Sequence, residues 1–139
     1  MSTTITTSND VLRARSSQVL LTDSASIYAN QAGEEINIAT DAKVITLPAI
    51  DANNIGMELT IRNTGADANN IVTISPAAAD GISGSIALAA SVFSASGVAN
   101  KDLVNTKATA ISGDFVTLKA VSVNKWFITA GIGIWASEA

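Results

Sequence analysis

Twelve carboxylates, with no histidine and no cysteine beside them, are the material from which this 139-residue chain would have to build a reactive site. Acid–base hydrolysis needs two carboxyl groups facing each other across a substrate. Asp23, Asp41, Asp51, Asp67, Asp80, Asp102 and Asp114 instead fall among Asn, Gly, Ser and Thr, where Asp bonds to nearby backbone and stabilises turns. Glu34 and Glu35 are adjacent, so on an extended strand they point to opposite sides. Serine and threonine are plentiful, but a hydroxyl without a base is a poor nucleophile. Without histidine the commonest general base and metal ligand is missing, and without cysteine there is no disulfide, thiolate or zinc–sulfur site. No nucleophile elbow, phosphate loop or metal-ligand spacing occurs. The expectation is a protein that is not an enzyme and carries no cofactor. The pentapeptides Asp51-Ala-Asn-Asn-Ile55 and Asp67-Ala-Asn-Asn-Ile71 could offer oxygen ligands to calcium, but one carboxylate per loop is little charge and both read as turns.

What positions these residues is a β-rich chain. Hydrophobic residues make up 47% and charged residues only 14%, with Ser, Thr, Asn and Gly filling much of the rest. A surface so poor in charge is read either as one partly hidden in an assembly or as a monomer coated in small polar groups. The net charge of −4 and pI near 4.5 leave no basic stripe for phosphates, so no nucleic acid is expected as a partner. No apolar run is long enough to span a bilayer and residues 1–10 do not resemble an export signal, so no membrane is expected and folding is placed in the cytoplasm.

Along the chain, residues 1–16 read as an extended arm, either frayed or docking on a neighbour through Val11, Leu12, Arg13 and Arg15. Residues 17–139 read as one domain. Short strand signals bounded by turn residues occur at Gln18–Thr22, Ser26–Tyr28, Glu35–Ala39, Lys43–Leu47 and Ile71–Ser75. The clearest is Met57–Asn63, with Met57, Leu59 and Ile61 on a buried face and Glu58, Thr60 and Arg62 on a wet one. A further strand is expected from Ile82 to about Ala89. Residues 94–108 read as a long loop with at most one helical turn at Lys101–Asn105. A hairpin closes the chain, its strands running from Gly113 and from Lys125 and separated by Ser122-Val-Asn124; it holds both tryptophans and two of the three phenylalanines.

Four pieces carry a resemblance: Thr46-Leu-Pro48 ending a strand, the alternating Met57–Asn63 strand, Val72-Thr-Ile-Ser-Pro76 leading to Asp80-Gly-Ile-Ser-Gly84, and Gly113-Asp-Phe-Val-Thr-Leu118 with Lys125-Trp-Phe-Ile128 and Trp135. Together they resemble the small β-sandwich modules of tailed bacteriophages, found in capsid decoration (cement or head-fibre) proteins and in tail-fibre and spike segments. The resemblance covers roughly residues 40–135. It implies an all-β, antiparallel, jelly-roll-like sandwich with an extended N-terminal arm. It also implies a non-enzymatic homotrimer that binds the major capsid protein on the outside of the virion and stabilises the shell. The alternative is a receptor- or glycan-binding module of a tail fibre, for which Tyr28, Trp126 or Trp135 could supply an aromatic platform.

By parity, Trp126, Ile128, Ala130, Ile132 and Ile134 share one face of the last strand, and Phe127, Thr129, Gly131, Gly133 and Trp135 share the other, unless a bulge at one of the glycines intervenes. One face lines the chain's own core. The other needs a cover, and Phe127 and Trp135 are therefore expected at a subunit interface.

Overall fold

The computed structural model describes residues 18–88 and 90–139. Twelve strands dominate it: β1 (Gln18–Leu21), β2 (Ala25–Ser26), β3 (Glu35–Ile38), β4 (Lys43–Thr46), β5 (Glu58–Asn63), β6 (Val72–Ser75), β7 (Gly81–Ala87), β8 (Val92–Ala99), β9 (Leu103–Asn105), β10 (Phe115–Ser122), β11 (Lys125–Ile132) and β12 (Trp135–Ser137). They form a seven-stranded sheet in the order β1-β3-β5-β10-β11-β7-β8 and a five-stranded sheet in the order β12-β9-β6-β4-β2. The fold is all-β, as expected. Both sheets are mixed, however, with five parallel pairings and five antiparallel ones, which corrects the antiparallel expectation.

The parallel pairings have a simple origin. From β1 to β6 the chain passes alternately between the sheets, so β1, β3 and β5 stack in parallel in one while β2, β4 and β6 do so in the other. The reversals are made by turns rich in Asp, Asn and Gly. In the first pentapeptide, Asp51 Oδ1 accepts from the N–H of Asn53 at 2.8 Å and Asn54 Oδ1 accepts from the N–H of Asp51 at 2.8 Å. In the second, Asp67 accepts from the N–H of Ser112 at 2.7 Å, and Ala68 adopts a left-handed φ of 54°. Both copies are turns whose carboxylates bond to backbone. The second half is mainly antiparallel. β10 pairs with β5 and β11, and β9 inserts between β6 and β12.

Alternation places the core. Ile36 and Ile38, Ile45, Leu59 and Ile61, Val72 and Ile74, Val116 and Leu118 turn inward and are fully or almost fully buried. Their partners one residue along are half-buried or exposed, the pattern of sheets with one dry face.

The segment expected to be a loop is instead strand: β8 pairs antiparallel with β7, β9 joins the other sheet, and a single 3-10 turn follows at Lys107–Thr109. Small residues concealed this. Gly84 faces Ala95, and a Cβ on Gly84 would lie 2.8 Å from that of Ile128. Close packing between strands here selects Gly, Ala and Ser over the branched residues that announce strands.

The two-face assignment of the last strand is also corrected. Thr117 faces Ala130 while Leu118 faces Ile128, so Thr129 is an extra residue that reverses the parity beyond it. Ile132 is consequently 60% exposed. Gly133, at φ 106°, then turns the chain so that Trp135 begins β12 in the other sheet. Trp126 and Trp135 are both buried in one core, at 0% and 2% exposure.

At one end a buried polar cluster ties the sheets together. The Asn63 amide donates to Asn105 Oδ1 at 2.8 Å, and the Asn105 amide donates to Asp114 Oδ2 and to the carbonyl of Ile134, each at 3.1 Å. Asp114 Oδ2 also accepts from the N–H of Ile111 at 3.0 Å, and Asn63 Oδ1 from that of Gly65 at 3.0 Å. Removing a central member strands the others away from water. Asn105→Ala is expected to lower unfolding stability by about 2 kcal/mol, read as a shift of the urea midpoint at unchanged slope.

Candidate interaction surface

The outer faces of the two sheets differ in chemistry. On the seven-stranded sheet, register aligns Leu20, Asn37, Arg62, Phe115 and Ile132 across five strands. Charge is neutralised within this row and its neighbours. Arg62 Nε donates to Glu35 Oε1 at 2.5 Å and its Nη1 to the carbonyl of Gly113 at 2.9 Å, while the guanidinium lies 4.6 Å from the centroid of the Phe115 ring. The Gln18 amide donates to Glu35 Oε2 at 2.9 Å and accepts from Asn37 at 2.6 Å. Arg62 and Glu58 share the wet side of β5, but Arg62 reaches across the sheet to Glu35, in the register one strand away permits.

The outer face of the five-stranded sheet carries no charged side chain within its paired strands. Val44, Thr73, Val104 and Ala136 form one row, and Ser26, Thr46 and Ser75 the next. Their inward neighbours Ile45, Ile74, Leu103 and Trp135 fill the core, which leaves this face only small hydroxyl and aliphatic groups. Charges stand at its borders, where Lys43 pairs with Asp23 at 3.3 Å and Lys107 with Asp41. An extended, uncharged face of this kind loses little on desolvation and suits contact with another protein surface.

The residues singled out in the sequence fall in different places. Trp135 is enclosed by this chain's own core and its Nε1 donates to the carbonyl of Ile132 at 3.1 Å, so the inference that it needs a neighbour for cover does not stand. Phe127 is half-buried, paired with Lys119 on one side and Ser83 on the other, away from Trp135. Trp126 is buried and offers no platform; Tyr28, at 68% exposure, does present its ring. Val11, Leu12, Arg13 and Arg15 lie outside the described residues. Among the described residues no group of three or more carboxylates could hold a metal ion, and no helix is long and apolar enough to cross a membrane. The uncharged face escaped sequence reading because its strands are short and its rows are set by pairings between distant segments.

Three carboxyls are held below their ordinary values. The Gln18 amide and then the Arg62 guanidinium act on Glu35, whose ordinary value is 4.5. The Ser24 N–H and Lys43 act on Asp23, and Lys107 with the Ile71 N–H on Asp41, both from 3.8. Because folding lowers these values, the stability they contribute is fully present above the unfolded values and is lost as pH falls through the folded ones. Thermal midpoints are expected to hold down to about pH 5 and to fall progressively below it. Glu35→Gln should lower the midpoint at pH 7 and shrink the further drop on acidification, checked by differential scanning calorimetry from pH 7 to pH 3.

Compared with models of known protein families and with curated proteins, the chain matches none.

Proposed function

We propose that this chain is a structural protein of a phage virion, a jelly-roll-like β-sandwich that binds the outer surface of the capsid as a homotrimer and stabilises the shell. The uncharged outer face of the five-stranded sheet carries this reading, because an extended face without charge suits a protein partner. The strand-and-turn motifs described above support it, since they resemble those of capsid decoration modules. The partner is the major capsid protein. The mechanism is additive: many modest contacts repeated over a lattice sum to firm attachment without any single strong site. The exposed Tyr28 ring favours a second reading, a glycan- or receptor-binding module of a tail fibre.

Cosedimentation separates the two. Purified protein is expected to pellet with undecorated capsids and to leave cell envelopes and glycan arrays unbound; binding to envelopes or glycans with none to capsids would select the tail-fibre reading. A mass near three times 14.2 kDa in analytical ultracentrifugation is expected at low concentration. Thr73 is central to the uncharged face, paired with Val44 and Val104. Thr73→Glu is expected to weaken capsid binding by about tenfold or more, since it buries an unpaired charge at the contact, with the thermal midpoint little changed. Capsid binding at the original strength would exclude this face.

A further inference from the structure

The seven-stranded sheet ends at β8, which among the described residues has β7 on one side and no strand on the other. Exposed edges are ordinarily blunted by charge, proline or early bulging, because their free N–H and C=O groups template further pairing. β8 reads Val-Phe-Ser-Ala-Ser-Gly-Val-Ala, with neither charge nor proline, and Val92 is 63% exposed. Its pairing with β7 is regular from Val92 to Ser96, and the register shifts only beyond Ser96, around Gly97 at φ 75°.

Hydrogen-bond parity shows which groups turn away from β7. The Leu88 N–H donates to the Ser91 carbonyl at 2.8 Å, so Leu88 and Ser91 form a bonded pair. In an antiparallel ladder bonded and non-bonded pairs alternate. Ile86–Phe93 and Gly84–Ala95 are then bonded, whereas Val92, Ser94 and Ser96 turn their N–H and C=O groups away from β7. These three are evenly spaced about Ser94.

We propose that β8 pairs antiparallel with β8 of a second copy across a twofold axis at Ser94. Ser94 then faces its own counterpart and Val92 faces Ser96 of the other copy, which uses every free group of the regular stretch. Hydroxyl meets hydroxyl at the axis. On the inner side Phe93 faces the other copy's Ala95, a large group against a small one. Ala95 also lines a cavity of about 130 Å³ with Ile82, Gly97 and Leu103, rimmed by Lys101 and Glu138. The occupant is a second copy because the free stretch is its own complement in hydrogen bonding and in side-chain size. The bulge at Gly97 limits the pairing to five residues and makes it weak and concentration-dependent. Being isologous, it joins chains two by two, and it doubles a ring of three only where the three twofold axes lie perpendicular to the threefold. It rests on no assumption about capsids.

The chain has no cysteine, so a single introduced one reports the axis directly. Under mild oxidant Ser94→Cys is expected to give a disulfide-linked dimer, since directly opposed bonded residues lie about 5.5 Å apart between Cα atoms. Ser85→Cys, also exposed but one strand further from the axis, is expected to stay reduced. Sedimentation velocity of the unmodified protein is expected to show a species of doubled mass growing with concentration, and Ser94→Lys, at an exposed position, to abolish it while the far-ultraviolet spectrum is unchanged. Equal cross-linking at positions 85 and 94, or doubling that survives Ser94→Lys, would overturn the proposal. Failure of capsid cosedimentation with doubling intact would count against the virion reading alone.

Discussion

The two sheets are held in one relative position by the hydrogen bonds that Asn105 makes from inside the structure. Apolar side chains supply most of the driving force for folding, but they are non-directional, and two stacked sheets can slide against one another at little loss of buried area. A buried amide is different. Asn105 sits on the five-stranded sheet at 0% exposure and must find its partners in Asn63 and Asp114, on or beside the strands of the other. Moving either sheet by a residue leaves an amide or a carboxylate unpaired away from water. The same contacts bring together the start of β10, the end of β5 and the approach to β12, segments that are distant in sequence. Close approach is required as well, since a Cβ on Gly133 would lie 2.3 Å from the Asp114 carboxyl carbon.

That clamp matters because the two halves of the chain are built differently. The first six strands wind back and forth between the sheets, and each pass adds one parallel strand to each. Such winding has no intrinsic stop, and its pairings demand closure across 17 residues or more, as between Gln18 and Glu35. The hairpin of β10 and β11 supplies local contacts and lies beside β5, so the wound half is set against a unit that can form early. The bulge at Thr129 and the turn at Gly133 then carry the chain across, letting both tryptophans enter one core. The aromatic hairpin and the buried amides therefore depend on each other: the first orders the second half, and the second fixes how the halves meet.

Much of this was legible in the sequence and some of it could not be. The alternation of Met57 to Asn63 gave that strand's buried face correctly, and the two Asp-Ala-Asn-Asn-Ile segments are turns because Asx side chains bond to local backbone wherever they occur. Strand direction was not legible. A run such as Lys43 to Thr46 looks the same whether its neighbour runs with it or against it, and the parallel pairing with β6 follows only from the route between the sheets. β8 was missed because its small residues are selected by packing against Gly84 and Gly81, a tertiary demand that mimics loop composition. The last strand was misassigned through one extra residue: parity is cumulative, so a bulge at Thr129 moved Ile132 out and left Trp135 free to turn inward. Asn63 closes the predicted strand, Asn105 falls in the expected loop and Asp114 among turn residues, and nothing local distinguishes a buried amide from a solvated one.

The absence of a strong site among the described residues has a physical consequence for how the protein can act. The seven-stranded sheet ties up part of its outward charge internally, Glu35 with Arg62 and Arg62 again with Phe115, while Glu58, Lys119 and Lys125 leave isolated charges across the rest of that face. The five-stranded sheet offers area without charge, and β8 offers backbone without protection. Neither provides the buried aromatic or arginine anchor that concentrates affinity in a tight two-body complex. Both improve with repetition, because the ordering entropy of each added contact falls once the first has fixed the orientation. A twofold pairing at β8 and a face contact on the other sheet lie on different elements and need not compete. On the proposed reading, contacts of this kind are weak for an isolated molecule and firm for a member of an array, which fits the low charge and small side chains of these surfaces.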